Sequence, residues 1–447
     1  MGPDYIGRRR LEAMNRSALR EYQLARLNEL LESVLRHNPF YSAKLSEVRL
    51  PVRSLDEMPA WLTTTKEELV SGLRGVQTLE FKGPSGVAEL GPGAGLAKNL
   101  TYALERYVRY HRTSGTRGSP LVVLDTADDW QWWLDGWQFV LDAGSITATD
   151  RVLMAFSFGP FIGFWSAFDA VAQRGALAIP TGGLSTLARL ETLRASRATA
   201  VLCTPSYALH MAEVAAERGI HLRDSDVRVI IVAGEPGGSI PSLRSRIEQA
   251  WGARLVDHAG ATEVGPWGYP SGDGTGLHVN ESQFIAELLV PGEETAALPG
   301  ETAELVITTL GRVGCPVIRY RTGDLVRARY DTGYANRFLF LDGGVLGRAD
   351  DMLIVRGVNI FPSAIEQILH ELPQVVDFRI TARKRGSLDE LSIEVEDRRA
   401  DPHAIAEVLN VRLGLSVVVE SVPIGSLPRS EGKGLRFRDE RRGTVTR

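Results

Sequence analysis

The sequence predicts an α/β protein in which helices flank mainly parallel sheets in a large N-terminal domain, and a small C-terminal α+β domain follows. Two observations carry this prediction. From about residue 150, short apolar runs alternate with amphipathic segments, which is typical of right-handed strand–helix crossovers. After the turn-rich segment 341–351, a separate pattern of strands and helices begins. We therefore expect domains at residues 1–346 and 347–447.

In the N-terminal domain, residues 18–45 show the apolar spacing of a helix, which is expected to end at Asn38-Pro39. Its apolar stripe consists of Leu27, Leu30, Leu31, Val34 and Leu35. The strands expected further on are RVLMAFSF, GALAIP, TAVLCTP, VRVIIVAG and RLVDHAG, with helices at 205–218 and 241–251. In the C-terminal domain the expected order is strand MLIVRG, helix SAIEQILHEL, strands VVDFRITAR and ELSIEVE, helix PHAIAEVLNVRLG and strand SVVVESV.

Composition narrows the classes of protein that this chain can belong to. Its 447 residues are 44% hydrophobic and 24% charged, as in an ordinary globular protein. The net charge of -4 provides no basic field, so nucleic acid is not an expected partner. Two cysteines, Cys203 and Cys315, cannot build a disulfide framework and favour a reducing compartment. Without a secretory leader or a long apolar run, we expect a cytoplasmic protein with no membrane partner.

Polar residues follow two of the expected parallel strands at the edge where ligands bind in such sheets. Gly234-Glu235-Pro236 comes after VRVIIVA, and Thr262-Glu263 comes after RLVDH. A third candidate is the loop TSGTRGSP at 113–120, whose hydroxyls and glycines suit a phosphate cradle but are also found in plain turns. A carboxylate in a tight turn at Asp324 suits a ribose diol, and Lys433 lies on a flexible loop, although each segment taken alone is more typical of a surface turn.

In this order and spacing, the segments resemble the AMP-forming adenylate-forming superfamily of acyl-CoA synthetases, and in particular its phenylacetate–CoA ligase branch. The segments that carry the resemblance are TSGTRGSP, GATEVG, LHVNES, CPVIRYRTGDL, GRADDMLIVRGVNIFPSAIEQIL and LPRSEGKG. The resemblance implies an N-terminal AMP-binding domain and a small C-terminal domain that moves on a hinge. It also implies a reaction in which ATP and Mg²⁺ activate a carboxylic acid as an acyl adenylate, and coenzyme A then displaces AMP.

The resemblance further implies which residues bind the nucleotide. The phosphate-binding residues would be Thr113, Ser114, Gly115, Thr116, Arg117 and Gly118. The adenine pocket would be lined by Gly234, Glu235 and Pro236. Asp324 would accept hydrogen bonds from the ribose hydroxyls, with Arg348 nearby.

Catalysis and domain motion would fall to five further residues. Thr262 would contact the α-phosphate, and Glu263 would ligate Mg²⁺, a hard cation that prefers oxygen ligands. Lys433 would bridge the attacking carboxylate and the α-phosphate. Rotation about Asp350 would move Lys433 away and bring the loop around Gly357 to the thiol tunnel.

The aromatic stretch 156–165 indicates either a flat apolar pocket for an aryl acid or ordinary core packing. The candidate pocket residues are Phe158, Phe161, Trp165 and Trp267. Trp130, Trp133 and Trp137 are interpreted as one packed face of a helix.

Several alternatives stay open at this point. The acceptor could be a carrier-protein phosphopantetheine acting in trans, or a nitrogen nucleophile, in place of coenzyme A. A homodimer is possible. The chain could also bind nucleotide without turnover, because Ser119 and Ala259 stand where the family usually has lysine and an aromatic residue.

Overall fold

The computed structural model describes residues 2–70, 81–82, 88–89, 96–113, 121–156, 158–235, 237–329, 333–349, 353–355, 358–360, 362–385, 388–413, 417–428 and 436–440. Its α-helices are α1 (Tyr5–Glu12), α2 (Arg16–His37), α3 (Pro39–Lys44), α4 (Lys66–Leu69), α5 (Ala127–Ala143), α6 (Ile162–Gln173), α7 (Thr186–Ala195), α8 (Pro205–Glu217), α9 (Pro241–Trp251), α10 (Pro362–Glu371) and α11 (Pro402–Leu413). Short 3₁₀ helices span Leu55–Ala60, Leu104–Arg106 and Leu222–Asp224.

The strands of the first half are β1 (Phe81–Lys82), β2 (Ala88–Glu89), β3 (Tyr107–Arg112), β4 (Val122–Thr126), β5 (Arg151–Met154), β6 (Leu177–Pro180), β7 (Ala200–Cys203), β8 (Val229–Val232), β9 (Arg254–Asp257), β10 (Ala259–Ala261), β11 (Gly265–Pro270) and β12 (Gly276–Val279). The remaining strands are β13 (Phe284–Leu289), β14 (Thr302–Thr309), β15 (Tyr320–Arg329), β16 (Phe340–Asp342), β17 (Gly347–Arg348), β18 (Leu353–Val355), β19 (Val358–Ile360), β20 (Val375–Arg385), β21 (Leu388–Asp397), β22 (Val418–Val422) and β23 (Phe437–Asp439).

A parallel sheet with strand order β6-β5-β7-β8-β9 confirms the predicted strand–helix alternation. The strands β7 and β8 are buried along their whole length, so their apolar runs show no alternation. The helix α8 begins where the Thr204 side chain accepts from the Tyr207 backbone N–H, with Pro205 in the first turn. The helix α9 ends at Gly252, whose left-handed backbone suits glycine.

An antiparallel sheet adds to this predicted architecture. Its strand order is β10-β11-β12-β16-β15-β14-β13, and β17 pairs with β15. The helix α5 packs against β11 and buries Trp130, Trp133 and Trp137, which confirms their interpretation as a packed face. One continuous core joins α5 to strands of both sheets. The fold class predicted from the sequence is therefore confirmed, and the antiparallel sheet carries much of what surrounds the candidate site.

The C-terminal part has a hydrophobic core of its own, built around Ile365, Phe378, Ile393 and Leu409. Its sheet has the order β22-β21-β20-β23, with an antiparallel centre and parallel outer pairs. Within the expected strand MLIVRG, residues 353–355 form β18, which pairs with β19 in antiparallel register. The boundary between residues 346 and 347 stays a prediction. At this point of the chain β17 still pairs with β15 of the larger part.

Both cysteines, Cys203 and Cys315, are free thiols that lie in the hydrophobic core with no exposed surface. Burial raises the pKa of Cys315 to about 12 and also raises the pKa of Cys203. Among the helices that the structure describes, none has both the length and the apolar composition that a membrane crossing requires.

Candidate active site

The turn at Thr262 and Glu263 connects the antiparallel strands β10 and β11. Glu263 is buried, with 9% of its surface exposed. Its carboxylate oxygen Oε1 accepts a hydrogen bond of 2.9 Å from the phenol of Tyr320, the first residue of β15. Burial and the neighbouring Glu263 carboxylate raise the pKa of Tyr320 well above its ordinary value, so the phenol keeps its proton. Glu263, the predicted Mg²⁺ ligand, therefore accepts a hydrogen bond from the uncharged phenol of Tyr320.

The backbone of the same turn is held by Arg312, which is completely buried. Its Nη1 donates to the carbonyl oxygens of Glu263 at 2.9 Å and Thr262 at 3.2 Å. Its Nε and Nη2 lie 2.8 Å and 2.7 Å from Oδ1 of Asp125 on β4. Burial alone would lower the pKa of Arg312, but Asp125 and its neighbours keep the pKa above the ordinary value. Arg312 therefore remains a cation that joins β4 to the Glu263 turn.

The strand β4 follows the candidate phosphate loop, and β3 precedes it. The two strands pair in antiparallel register, and we call the ends that flank the loop its neck. At the loop base, the Thr113 backbone N–H donates to Leu121 O at 2.9 Å, and the Leu121 N–H donates to Thr113 Oγ1 at 3.0 Å. Thr113 is thus fixed at the neck, whereas residues 114–120 lie outside the described residues.

Asp324 and Arg348, assigned to the ribose, lie opposite each other in β15 and β17. Arg348 Nη1 is 3.0 Å from Asp324 Oδ1, and the Asp324 side chain is largely buried at 15% exposure. Because Tyr320 begins β15 and Asp324 follows it in the same strand, one strand supports both the Glu263 turn and the predicted ribose acceptor. The structure therefore brings these predicted residues to one region.

The loop after β8 contains Gly234, whose φ of +96° is accessible mainly to glycine. Glu235 accepts a hydrogen bond of 2.7 Å from Ser206 N at the start of α8. In the C-terminal part, burial raises the pKa of Glu366 to about 7. Arg436 opposes this rise, and the negative charge of Glu235 contributes to it. The loop predicted to line the adenine pocket thus borders the C-terminal part.

Aromatic side chains cluster where β5 leads into α6. The Phe158 ring meets Trp165 edge-on at 5.0 Å, and Trp165 Nε1 donates to Gly159 O at 2.9 Å. Phe161 packs edge-on against Phe164 at 6.4 Å. Trp165 is 36% exposed, so this cluster reaches the surface. Trp267, by contrast, is buried in the core on β11, with 1% exposure.

Five assignments fall on residues outside the described ranges. They are Ser114–Gly118 as a group, Pro236, Asp350, Gly357 and Lys433. Their roles stay predictions.

Sequence reasoning missed the side chains that support the site. Tyr320 lies within the segment CPVIRYRTGDL but received no role, and Arg312 and Asp125 received none either. The motif that contains Tyr320 could have identified this residue as a candidate for the site. No local pattern marks Arg312, since a lone arginine between glycines usually indicates an exposed loop.

A family model described as an AMP-binding enzyme C-terminal domain matches residues 357–441. The phenylacetate-coenzyme A ligase of Escherichia coli is 32% identical over 76% of this chain and 80% of its own length. That of Thermus thermophilus is 28% identical over 95% of this chain and 97% of its own. A solved 2-hydroxyisobutyryl-CoA ligase in its postadenylation state is 25% identical, with a TM-score of 0.86, and covers 99% of this chain and 94% of its own.

Fold, site and relatives together define an AMP-forming acid–thiol ligase. Within that class, the chain belongs to the phenylacetate-coenzyme A ligase family. The structure is more similar to the postadenylation state of 2-hydroxyisobutyryl-CoA ligase, with its TM-score of 0.86, than to the thioesterification state of the same enzyme, for which the TM-score is 0.70.

Proposed function

We propose that this protein joins a small aromatic carboxylic acid to coenzyme A in two steps that share one site. First, an oxygen of the acid attacks the α-phosphorus of ATP, and the bond to the β-phosphate breaks, which releases pyrophosphate. Second, the sulfur of coenzyme A attacks the acyl carbon, the bond to AMP breaks, and the thiol proton is lost. Complexes of 2-hydroxyisobutyryl-CoA ligase with its acyl adenylate and coenzyme A support both steps.

One observation carries the proposal. The buried Glu263 turn, the neck of the phosphate loop and the strand of Asp324 are held together by Arg312 and Tyr320. Joining a carboxylate to ATP mainly requires positioning and charge neutralisation around the phosphates. A rigid connection between these three segments meets the first of these requirements.

Each residue has a separate task in the first step. The loop residues 113–118 would donate to the β- and γ-phosphates, and Thr262 would donate to the α-phosphate. Asp324, positioned beside Arg348, would accept from the ribose hydroxyls. Residues 234–236 would border the adenine. Lys433 would neutralise the charge that develops between the acid and the α-phosphate.

The residues present fit a magnesium ion. Mg²⁺ in nucleotide-dependent enzymes is held by one or two carboxylates together with substrate phosphates, so the single Glu263 carboxylate suffices. Oε1 of Glu263 already accepts from Tyr320, which fixes the orientation of this hard oxygen ligand. When bound, the ion would neutralise phosphate charge.

The second step would use the motion of residues 347–447 about Asp350. This rotation would withdraw Lys433 and bring the loop around Gly357 to the thiol. The separate core of the C-terminal part supports motion as a unit.

The aromatic cluster favours an aryl or arylacetic acid as substrate. Phe158 and Trp165 meet edge-on beside the end of β5, the edge at which ligands gather in parallel sheets. The solved relative, by contrast, takes its name from the small aliphatic 2-hydroxyisobutyryl group. Aromatic and aliphatic acids therefore both belong in the test.

Acid-dependent exchange of labelled pyrophosphate into ATP tests the first step. We expect exchange with aryl acids, and a Trp165→Ala variant should raise the KM of the best acid more than the KM of ATP. Selective exchange with short aliphatic acids would contradict the aryl proposal. Absence of exchange across the whole panel, despite ATP binding, would favour the non-catalytic alternative.

The acceptor is tested with the acid that gives the strongest exchange. AMP release is compared with coenzyme A, a phosphopantetheinylated carrier protein and simple amines, and we expect coenzyme A to support the fastest release. A cytoplasmic location and a homodimer belong to the proposal as well. Microscopy of a tagged chain and light scattering of the purified protein check them.

A further inference from the structure

Two contacts fix Glu263 from different directions. The Tyr320 phenol holds its side chain at 2.9 Å, and the Arg312 guanidinium holds its backbone carbonyl, also at 2.9 Å. Both donors are buried, with 2% of Tyr320 and none of Arg312 exposed. Since water has little access to this contact, the phenol cannot readily be replaced by solvent as a donor.

The backbone contact would leave the carboxylate free to rotate if the phenol were absent. A glutamate side chain has several rotatable bonds, and fixing them costs conformational entropy. The Tyr320 hydrogen bond would offset this cost before a ligand arrives. Arg312 adds a second restraint, because its bonds to Asp125 connect the turn to β4 beside the phosphate loop.

We propose that Tyr320 is a positioning residue that orients the Glu263 carboxylate toward a divalent cation bound with ATP. The inference rests on the proposed function, because it assumes that Glu263 is the metal ligand. Tyr320 acts only through Glu263 and is not proposed to contact the substrate. Its loss should weaken metal binding while the chain still folds.

The chain offers a matched control. The phenol of Tyr269 on β11 donates a hydrogen bond of 2.8 Å to Oε1 of Glu12. These residues form a second buried tyrosine–glutamate pair. Glu12 belongs to the N-terminal helix α1. Tyr320→Phe and Tyr269→Phe therefore remove the same group from similar surroundings, and only the first touches the proposed ligand.

The test measures Mn²⁺ binding to the enzyme with a non-hydrolysable ATP analogue, using the electron paramagnetic resonance signal of free Mn²⁺. We expect Tyr320→Phe to weaken binding by about tenfold, in keeping with a loss of about one hydrogen bond to a charged group. The Mg²⁺ concentration for half-maximal exchange should rise similarly, with recovery of kcat near saturation and an unchanged KM for the acid. Tyr269→Phe should match the wild type.

Equal Mn²⁺ affinity of Tyr320→Phe and the wild type would overturn the inference, as would equal weakening in both phenylalanine variants. Thermal melting of the two variants checks that each is folded. Glu263→Gln separates this inference from the function on which it rests. If that variant retains metal binding and exchange, the assignment of Glu263 fails; if it loses both while Tyr320→Phe is normal, only the inference fails.

Discussion

Asp324 and Arg348 face each other across two antiparallel strands, with Arg348 Nη1 only 3.0 Å from Asp324 Oδ1. The Asp324 side chain is more buried than that of Arg348, at 15% against 43% exposure. The guanidinium of Arg348 therefore restrains the orientation of the Asp324 carboxyl group. Under the proposed function, this carboxyl group would accept hydrogen bonds from two ribose hydroxyls.

Asp324→Asn should raise the KM for ATP by about 10- to 100-fold, because a hydrogen bond to a charged group contributes about 1.5–3 kcal/mol. The KM for the acid should stay nearly constant. Steady-state exchange kinetics measure both constants. Asp226→Asn, which alters an exposed pair with Arg197, is the control and should change neither. An unaltered KM for ATP in Asp324→Asn would remove Asp324 from the nucleotide site.

Lys433→Ala should lower acid-dependent exchange by about 100- to 1000-fold, since under the proposed function it removes the charge that stabilises the transition state. Formation of thioester from synthetic acyl adenylate and coenzyme A should change by no more than a few fold, because the proposed role of Lys433 is confined to the first step. Lys44→Ala, which disrupts a pair with Glu68 near the surface, serves as control. An equal loss of acid-dependent exchange and of thioester formation would contradict the proposal that Lys433 serves the first step alone.

Removal of Arg312 should destabilise the protein strongly. Arg312→Met leaves Asp125 buried without its cation, at a cost of about 3–5 kcal/mol in the free energy of unfolding. The double variant Asp125→Asn with Arg312→Met should recover part of this loss. Denaturant titration followed by tryptophan fluorescence measures the cycle, with the exposed Arg197→Met as reference. A double variant less stable than the additive sum would speak against the buried pair.

Stability should depend on pH through Glu366. Its folded-state pKa is about 7, above the ordinary value of 4.5, so the folded chain favours the protonated carboxyl. The resulting stabilisation is complete below about pH 4.5 and is lost as the pH rises through about 7. Glu366→Gln should therefore melt at a higher temperature than the wild type at about pH 8.5, and the difference should shrink toward about pH 5.

Glu371→Gln, an exposed change on the same helix, is the control for this pH dependence. Its melting temperature should follow the wild type at every pH. A difference between Glu366→Gln and the wild type that stays constant with pH would show that ionisation of Glu366 is not responsible.

The parallel sheet could be predicted from the sequence because its central strands β7 and β8 are buried along their whole length. Val229–Val232, for instance, is an unbroken apolar run that only a buried strand or core segment would tolerate. The antiparallel sheet could not be predicted in the same way. Its strand Gly265–Pro270 contains two glycines and two prolines without alternation, and its complete burial depends on the packing of α5.

The support of Glu263 shows a second limit of sequence reasoning. Motif resemblance identified Glu263, whose partner Tyr320 lies 57 residues further along the chain. Their contact depends on how β10, β11 and β15 assemble, which no local pattern specifies. Arg312 illustrates the same point, since its charge indicates solvent exposure although the folded chain buries it fully.

The complete burial of Cys203 and Cys315 has a practical consequence. Their raised pKa values leave little thiolate for alkylation, so maleimide dyes should attach only to cysteines introduced at the surface. One engineered cysteine on each side of residue 350 would carry a donor and an acceptor fluorophore without replacement of either native thiol. Energy transfer between them would test whether the C-terminal part rotates during single turnovers, as the proposed function requires.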